Sequence, residues 1–123
     1  MGYTHYFFNQ PIDQDNWNAL VKDVKKAIKV AKVELEVDID EHEIVVNGIE
    51  EQGHETFVIK RTGGRDFCKT ARKPYDIVVC MALIALEHHA RADISSDGDQ
   101  EDWQDAIDMC QKHLGYGNDF LIG

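Results

Sequence analysis

Lys69, Thr70, Arg72, Lys73, Tyr75 and Asp76 crowd into the single stretch FCKTARKPYD. Side chains of these types suit the capture of an anion. Guanidinium and ammonium groups bring fixed positive charge and several N–H donors, and hydroxyls add weaker ones. The apolar run from Ile77 to Leu86 follows directly and predicts a helix. Its first turn would add unpaired backbone N–H groups and the positive end of its dipole. Pro74 fits the first helical position, where its missing N–H costs nothing. Asp76 has another use, since it can cap the helix and pair with Arg72. No GxxxxGK[ST] is present, and Gly63-Gly64 alone makes no phosphate cradle. A purely structural capping network therefore stands beside the anion site as the bland reading.

Cys68 lies at the basic end of this stretch, where a lowered pKa would make it a nucleophile. A Cys–His mechanism would need His5, His54, His88 or His89 beside it. Sequence spacing places none of them there, and a half-buried strand cysteine is the simpler expectation. Cys80 and Cys110 fall on apolar helical positions and read as core. The three cysteines form no CxxC or Cys–His zinc spacing. His88-His89 splay by about 100° on a helix and make a poor metal pair. Ser95, Ser96, Asp97 and Asp99 read as helix caps rather than cation ligands. No metal and no cofactor is expected.

The chain is acidic, with 13 basic against 23 acidic residues and a net charge of −10. Lys60 to Lys73 runs the other way, six basic residues against Asp66 alone, a net +5 that leaves −15 for the rest. Such a balance disfavours direct nucleic-acid binding and an anionic membrane surface. The cationic segment would instead focus a small anion or an acidic surface of a partner, or neutralise carboxylates within the fold. No signal peptide or lipidation signal is apparent at MGYTHY, so a reducing cytoplasm is the expected compartment.

The elements that must position these residues follow from periodicity. GYTHYFFN reads as a strand with Tyr3, His5 and Phe7 on one face and Thr4, Tyr6 and Phe8 on the other. Both faces are partly apolar, which suits an inner strand. Trp17, Leu20, Val21, Val24, Ile28 and Ala31 then repeat with helical spacing after an Asp13 or Asp15 cap. Val33 to Ile39 is either a short strand or a frayed helix end. Glu43 to Ile49, His54 to Arg61 and Arg65 to Cys68 predict an antiparallel meander. Ile77 to Leu86 is apolar on every side and too short to cross a bilayer, so it predicts a buried central helix. Ile94 suggests an edge strand. Trp103, Ala106, Ile107, Cys110 and Leu114 give a last helix closed by Gly115.

The predicted fold class is α+β, with three main helices packed on a mostly antiparallel single layer of strands. One domain would span residues 1–115, with 116–123 as a tail forming an edge strand or left loose. The stretch from Lys69 to Asp76 is expected to make a concave, partly exposed pocket facing His5 or Tyr3.

MGYTHY, Asn47-Gly48 with GHETF (Gly53 to Phe57), FCKTARKPYD, and SSDG (Ser95 to Gly98) followed by Trp103 together resemble an uncharacterised family of small phage, prophage and bacterial proteins. Phe7 stands where that family's opening usually has tryptophan. The resemblance implies a phage accessory protein working in the host cytoplasm, outside virion structure, and carries no activity or catalytic residue with it. Three functions are compatible. The preferred one is a non-catalytic binder of a nucleotide-like anion or of a host protein. The alternatives are a small Cys/His-dependent enzyme acting on an anionic substrate, and an acidic nucleic-acid mimic that inhibits a host protein.

Overall fold

The computed structural model describes residues 3–122, so Met1, Gly2 and Gly123 lie outside it. Strand β1 (Thr4–Asn9) buries His5, Phe7 and Asn9, one face of the expected alternation, and turns Tyr6 on the other face outward. Helix α1 (Gln14–Ala31) begins at Asp13, whose carboxylate accepts from the Asn16 amide at 2.8 Å. Its buried stripe is Trp17, Leu20, Val24 and Ala27. Lys32, at φ 55°, ends the helix in the left-handed region.

Strands β2 (Leu35–Ile39), β3 (Glu43–Gly48) and β4 (Phe57–Lys60) form one antiparallel sheet in sequence order. Strand β5 (Gly64–Lys69) does not continue that meander. It pairs with β1 from Thr4↔Lys69 to Asn9↔Gly64. Gly63 and Gly64, at φ 86° and 117°, turn the chain out of one sheet and into the other. A side chain on Gly63 would strike the backbone carbonyl of Asn9, so the switch requires glycine there.

Helix α2 (Asp76–Ala90) follows, then strand β6 (Asp93–Ser96) and helix α3 (Gln104–Leu114), which ends at Gly115 in the left-handed region. Strand β6 pairs antiparallel with β1, so the second sheet has the order β5-β1-β6 with β1 in the middle. The class is α+β, and the layer of strands is divided into two three-stranded antiparallel sheets. Helix α2 is the centre of the core. Every residue from Val78 to Leu86 is buried, and the helix packs on α1, α3, β1 and β6.

Two local expectations are corrected. The helix starts at Asp76 rather than Pro74, because Lys73 N–H bonds to Thr70 O and Asp76 N–H to Lys73 O, closing tight turns first. Ile77 is only half-buried, since this first turn stands at the rim of the core.

The tail after Gly115 forms no strand up to residue 122. It is held by side chains instead. Phe120 is buried and stacks on Trp103 at 5.2 Å. The Gln100 amide donates to Phe120 O at 2.8 Å and accepts from Ile122 N–H at 3.0 Å. No described helix is long and apolar enough to cross a membrane.

Candidate functional site

Strand β1 enters the core beside the start of α2, which places His5 against Asp76. The His5 ring is fully buried, with Nε2 2.6 Å from Asp76 Oδ1 and Nδ1 2.7 Å from Ser96 Oγ. Ser96 lies opposite His5 in the β1–β6 ladder, so the sheet register itself supplies this partner. Thr70 Oγ1 donates to the same Asp76 Oδ1 at 2.5 Å. One helical turn after Asp76, the Cys80 thiol lies 3.5 Å from His5 Nε2 and donates to Asp76 Oδ2 at 3.6 Å. Burial, followed by the nearby Asp76 charge, pushes the Cys80 thiol well above its ordinary pKa.

Aromatic rings wall this cluster. Tyr3 and Trp103 each meet the His5 ring edge-on, at 5.0 and 4.9 Å. Trp103 Nε1 is buried without a hydrogen-bond partner among the described residues. Gly98 closes over Tyr3, and a side chain there would collide with the Tyr3 hydroxyl. The Gly98 amide donates to Ser96 Oγ at 2.9 Å. Burial foremost, then Asp76, raises the Tyr3 pKa so that the phenol stays protonated.

The basic loop runs along the rim. Ala71 and Arg72 both take left-handed conformations, at φ 53° and 58°, while the amides of Thr70 and Ala71 converge on Tyr3 O at 3.1 and 3.3 Å. Arg72 lies over the Tyr3 ring, 3.9 Å from its centroid. Its side chain is 62 % exposed and reaches Asp102 at 3.6 Å. Lys69 and Lys73 are half-buried, and neither forms an ion pair among the described residues. Asp76 neither pairs with Arg72 nor caps α2; it binds His5 and Thr70. The helix start also offers fewer free donors than expected. The Asp76 amide is bonded to Lys73 O, and those of Val78 and Val79 both reach Tyr75 O.

Of the residues singled out in the sequence, Tyr3, His5, Thr70, Arg72 and Asp76 come together here. Cys68 and Tyr75 do not join them. Tyr75 OH donates to Glu55 O at 2.6 Å, and Cys68 Sγ reaches the same carbonyl at 3.4 Å. This pair locks the loop before β4 to β5. Cys68 is fully buried, and burial raises its pKa to about 12, against any lowering by the neighbouring bases. That protonated thiol opposes the Cys/His reaction.

Cys80, Ser96 and Asp102 were missed as site residues. Cys80 sits four residues after Asp76, a helical spacing that carries a signal once the helix start is known. Nothing in the sequence pairs Ser96 with His5.

A groove of 780 Å³ lies elsewhere, lined by Tyr6, Arg65, Phe67, Asp93, Ser95 and Leu121 among others, and the Lys69–Asp76 loop takes no part in it.

No protein-family model matches the chain, and neither a curated protein nor a solved structure matches it. Tyr3, His5, Thr70, Asp76, Ser96, Gly98 and Trp103 bond or stack together at this end of the β1 sheet.

Proposed function

We propose that this chain is a phage-type accessory protein acting in the bacterial host cytoplasm, where it is a non-catalytic binder of a nucleotide-like anion. The recognition element is the loop from Lys69 to Asp76. One observation carries the reading: among the described residues, Arg72 is the one of the loop's three cationic side chains that forms an ion pair, and it does so at 3.6 Å with its side chain 62 % exposed. A guanidinium held over an aromatic ring is positioned while most of its donors stay available, which suits a phosphate or carboxylate. The two left-handed residues beneath it add backbone strain that is common where a loop is held for a ligand. Lys69 and Lys73 supply charge on either side.

A host protein is the second reading, favoured by a different surface. Tyr6 and Phe67 face each other across β1 and β5, and are 43 % and 56 % exposed beside the 780 Å³ groove. Exposed aromatics of this kind often anchor protein contacts.

The test is a thermal-shift series with nucleoside mono-, di- and triphosphates and inorganic pyrophosphate, read alongside Arg72→Ala and Lys69→Ala. A ligand that binds only the folded state raises Tm. The expected result is a rise with at least one phosphate compound that both variants lose while their own Tm stays within a few degrees. A rise unaffected by either substitution, or no rise at all, rejects the loop as the binding element.

A further inference from the structure

We propose that His5, Asp76 and Cys80 form a binding site for a thiophilic divalent cation of the Zn²⁺ class, inside the fold behind the anion-binding loop, with which it shares Asp76. The three donors are Nε2, a carboxylate oxygen and Sγ, the mixed nitrogen, oxygen and sulfur set that such a cation accepts. All three atoms lie within 4.8 Å of one another. Bond lengths of about 2.0 Å to nitrogen or oxygen and about 2.3 Å to sulfur place tetrahedral ligand atoms about 3.5 Å apart across an N–S or O–S edge. Here Sγ is 3.5 Å from Nε2 and 3.6 Å from Asp76 Oδ2. Two of the three edges already match. The third edge requires the hydrogen bond between Oδ1 and Nε2, 2.6 Å long, to open as the cation enters.

The surroundings are those of a supported ligand set. His5 Nδ1 is fixed by Ser96 Oγ, which orients the ring and leaves Nε2 as the ligating nitrogen. Ser96 Oγ is itself fixed by the Gly98 amide, and Asp76 Oδ1 by the Thr70 hydroxyl. Both direct partners are short polar side chains on a strand or on a loop tied to β1. The charges also close. One thiolate and one carboxylate neutralise a divalent cation, which suits a site where His5 and Cys80 are buried. Asp76 is 22 % exposed, so cation entry and the fourth ligand, a water, lie on its side.

The cation displaces the Cys80 thiol proton to solvent. It also displaces the proton from His5 Nε2; the imidazole stays neutral by carrying its proton on Nδ1, where it donates to Ser96 Oγ. One proton leaves per cation bound.

The experiment titrates the full reduced chain with Co²⁺, an optical stand-in for Zn²⁺, and then displaces it with Zn²⁺. The expected result is one equivalent of Co²⁺ with tetrahedral visible bands and a sulfur-to-cobalt charge-transfer band in the near ultraviolet. Cys80→Ser and Cys80→Ala should lose the charge-transfer band, with far-ultraviolet circular dichroism recorded on each to show which folds. His5→Gln should lose stoichiometric binding, and Ser96→Ala should weaken it about 10- to 100-fold. Cys68→Ser, Cys110→Ser and Arg72→Ala should keep the band. No charge-transfer band in the wild-type protein overturns the proposal. So does a band that survives removal of Cys80, or one that vanishes with Cys68 or Cys110. Since Arg72→Ala removes anion binding and leaves this band, the two proposals fail separately.

Discussion

Arg72 lies over Tyr3, its guanidinium carbon 3.9 Å from the ring centroid, and it does so from a left-handed backbone at φ 58°. Ala71 before it is left-handed too, at φ 53°. A left-handed conformation costs a non-glycine residue about 1–2 kcal/mol. Ala71→Gly should therefore raise stability by about 1 kcal/mol, less the entropy that glycine adds to the unfolded chain. Urea unfolding of the variant checks this, and a clear loss of stability would mean the loop is not strained there.

Gly98→Ala should destabilise the protein, because the added methyl would collide with the Tyr3 hydroxyl and the flanking amides fix the chain. The Asp97 amide donates to Thr4 O at 2.9 Å, so the turn has little freedom to retreat. A loss of about 1–3 kcal/mol is expected for such overpacking. Tyr3→Phe removes the clashing oxygen and should restore part of the loss in the double variant, which thermal melting measures.

Met81→Ala and Ile84→Ala should each cost about 2–5 kcal/mol, since both side chains are buried at the centre of α2 with helices on two sides. Chemical denaturation reads the effect directly. Losses under about 1 kcal/mol at both positions would place the helix nearer the surface.

All three cysteines are buried and unpaired. Burial raises the pKa of both Cys68 and Cys110 to about 12. Iodoacetamide near neutral pH should leave the native chain unmodified and label it only in denaturant. Mass spectrometry gives the count. Rapid modification of native Cys68 would revive its role as a nucleophile.

Asp40 predicts an acid limb to the stability curve. Backbone amides of His42 and Glu43 donate to its carboxylate at 2.7 and 2.9 Å and hold its pKa below the ordinary carboxylate value. A group with a depressed folded pKa stabilises the fold above its unfolded value, and that contribution disappears as pH falls through the folded one. Wild type should therefore melt above Asp40→Ala at about pH 6 and lose that lead below about pH 4. A gap that stays constant with pH would show that the lost hydrogen bonds, rather than the charge, account for the difference.

Much of the fold was legible because its signals are local. The apolar run from Val78 to Leu86 could only be a buried helix, and the spacing of Trp17, Leu20 and Val24 fixed the inner face of α1. The alternation in THYFFN set His5 and Tyr6 on opposite faces, and the packing of α2 decided that the His5 face is the buried one. The loop residues Thr70, Arg72 and Asp76 were legible as polar types crowded before an apolar helix. Their partners were not. Pairing of β5 with β1 rather than β4 depends on a turn at Gly63 and on which edge was open, both long-range matters. The joining of His5 to Asp76, Cys80 and Ser96 spans 71, 75 and 91 positions of chain. No periodicity reaches that far. Sequence composition set a cationic stretch in an acidic chain, but register and helix phase alone decided that Asp76 answers His5 while Arg72 is left at the surface.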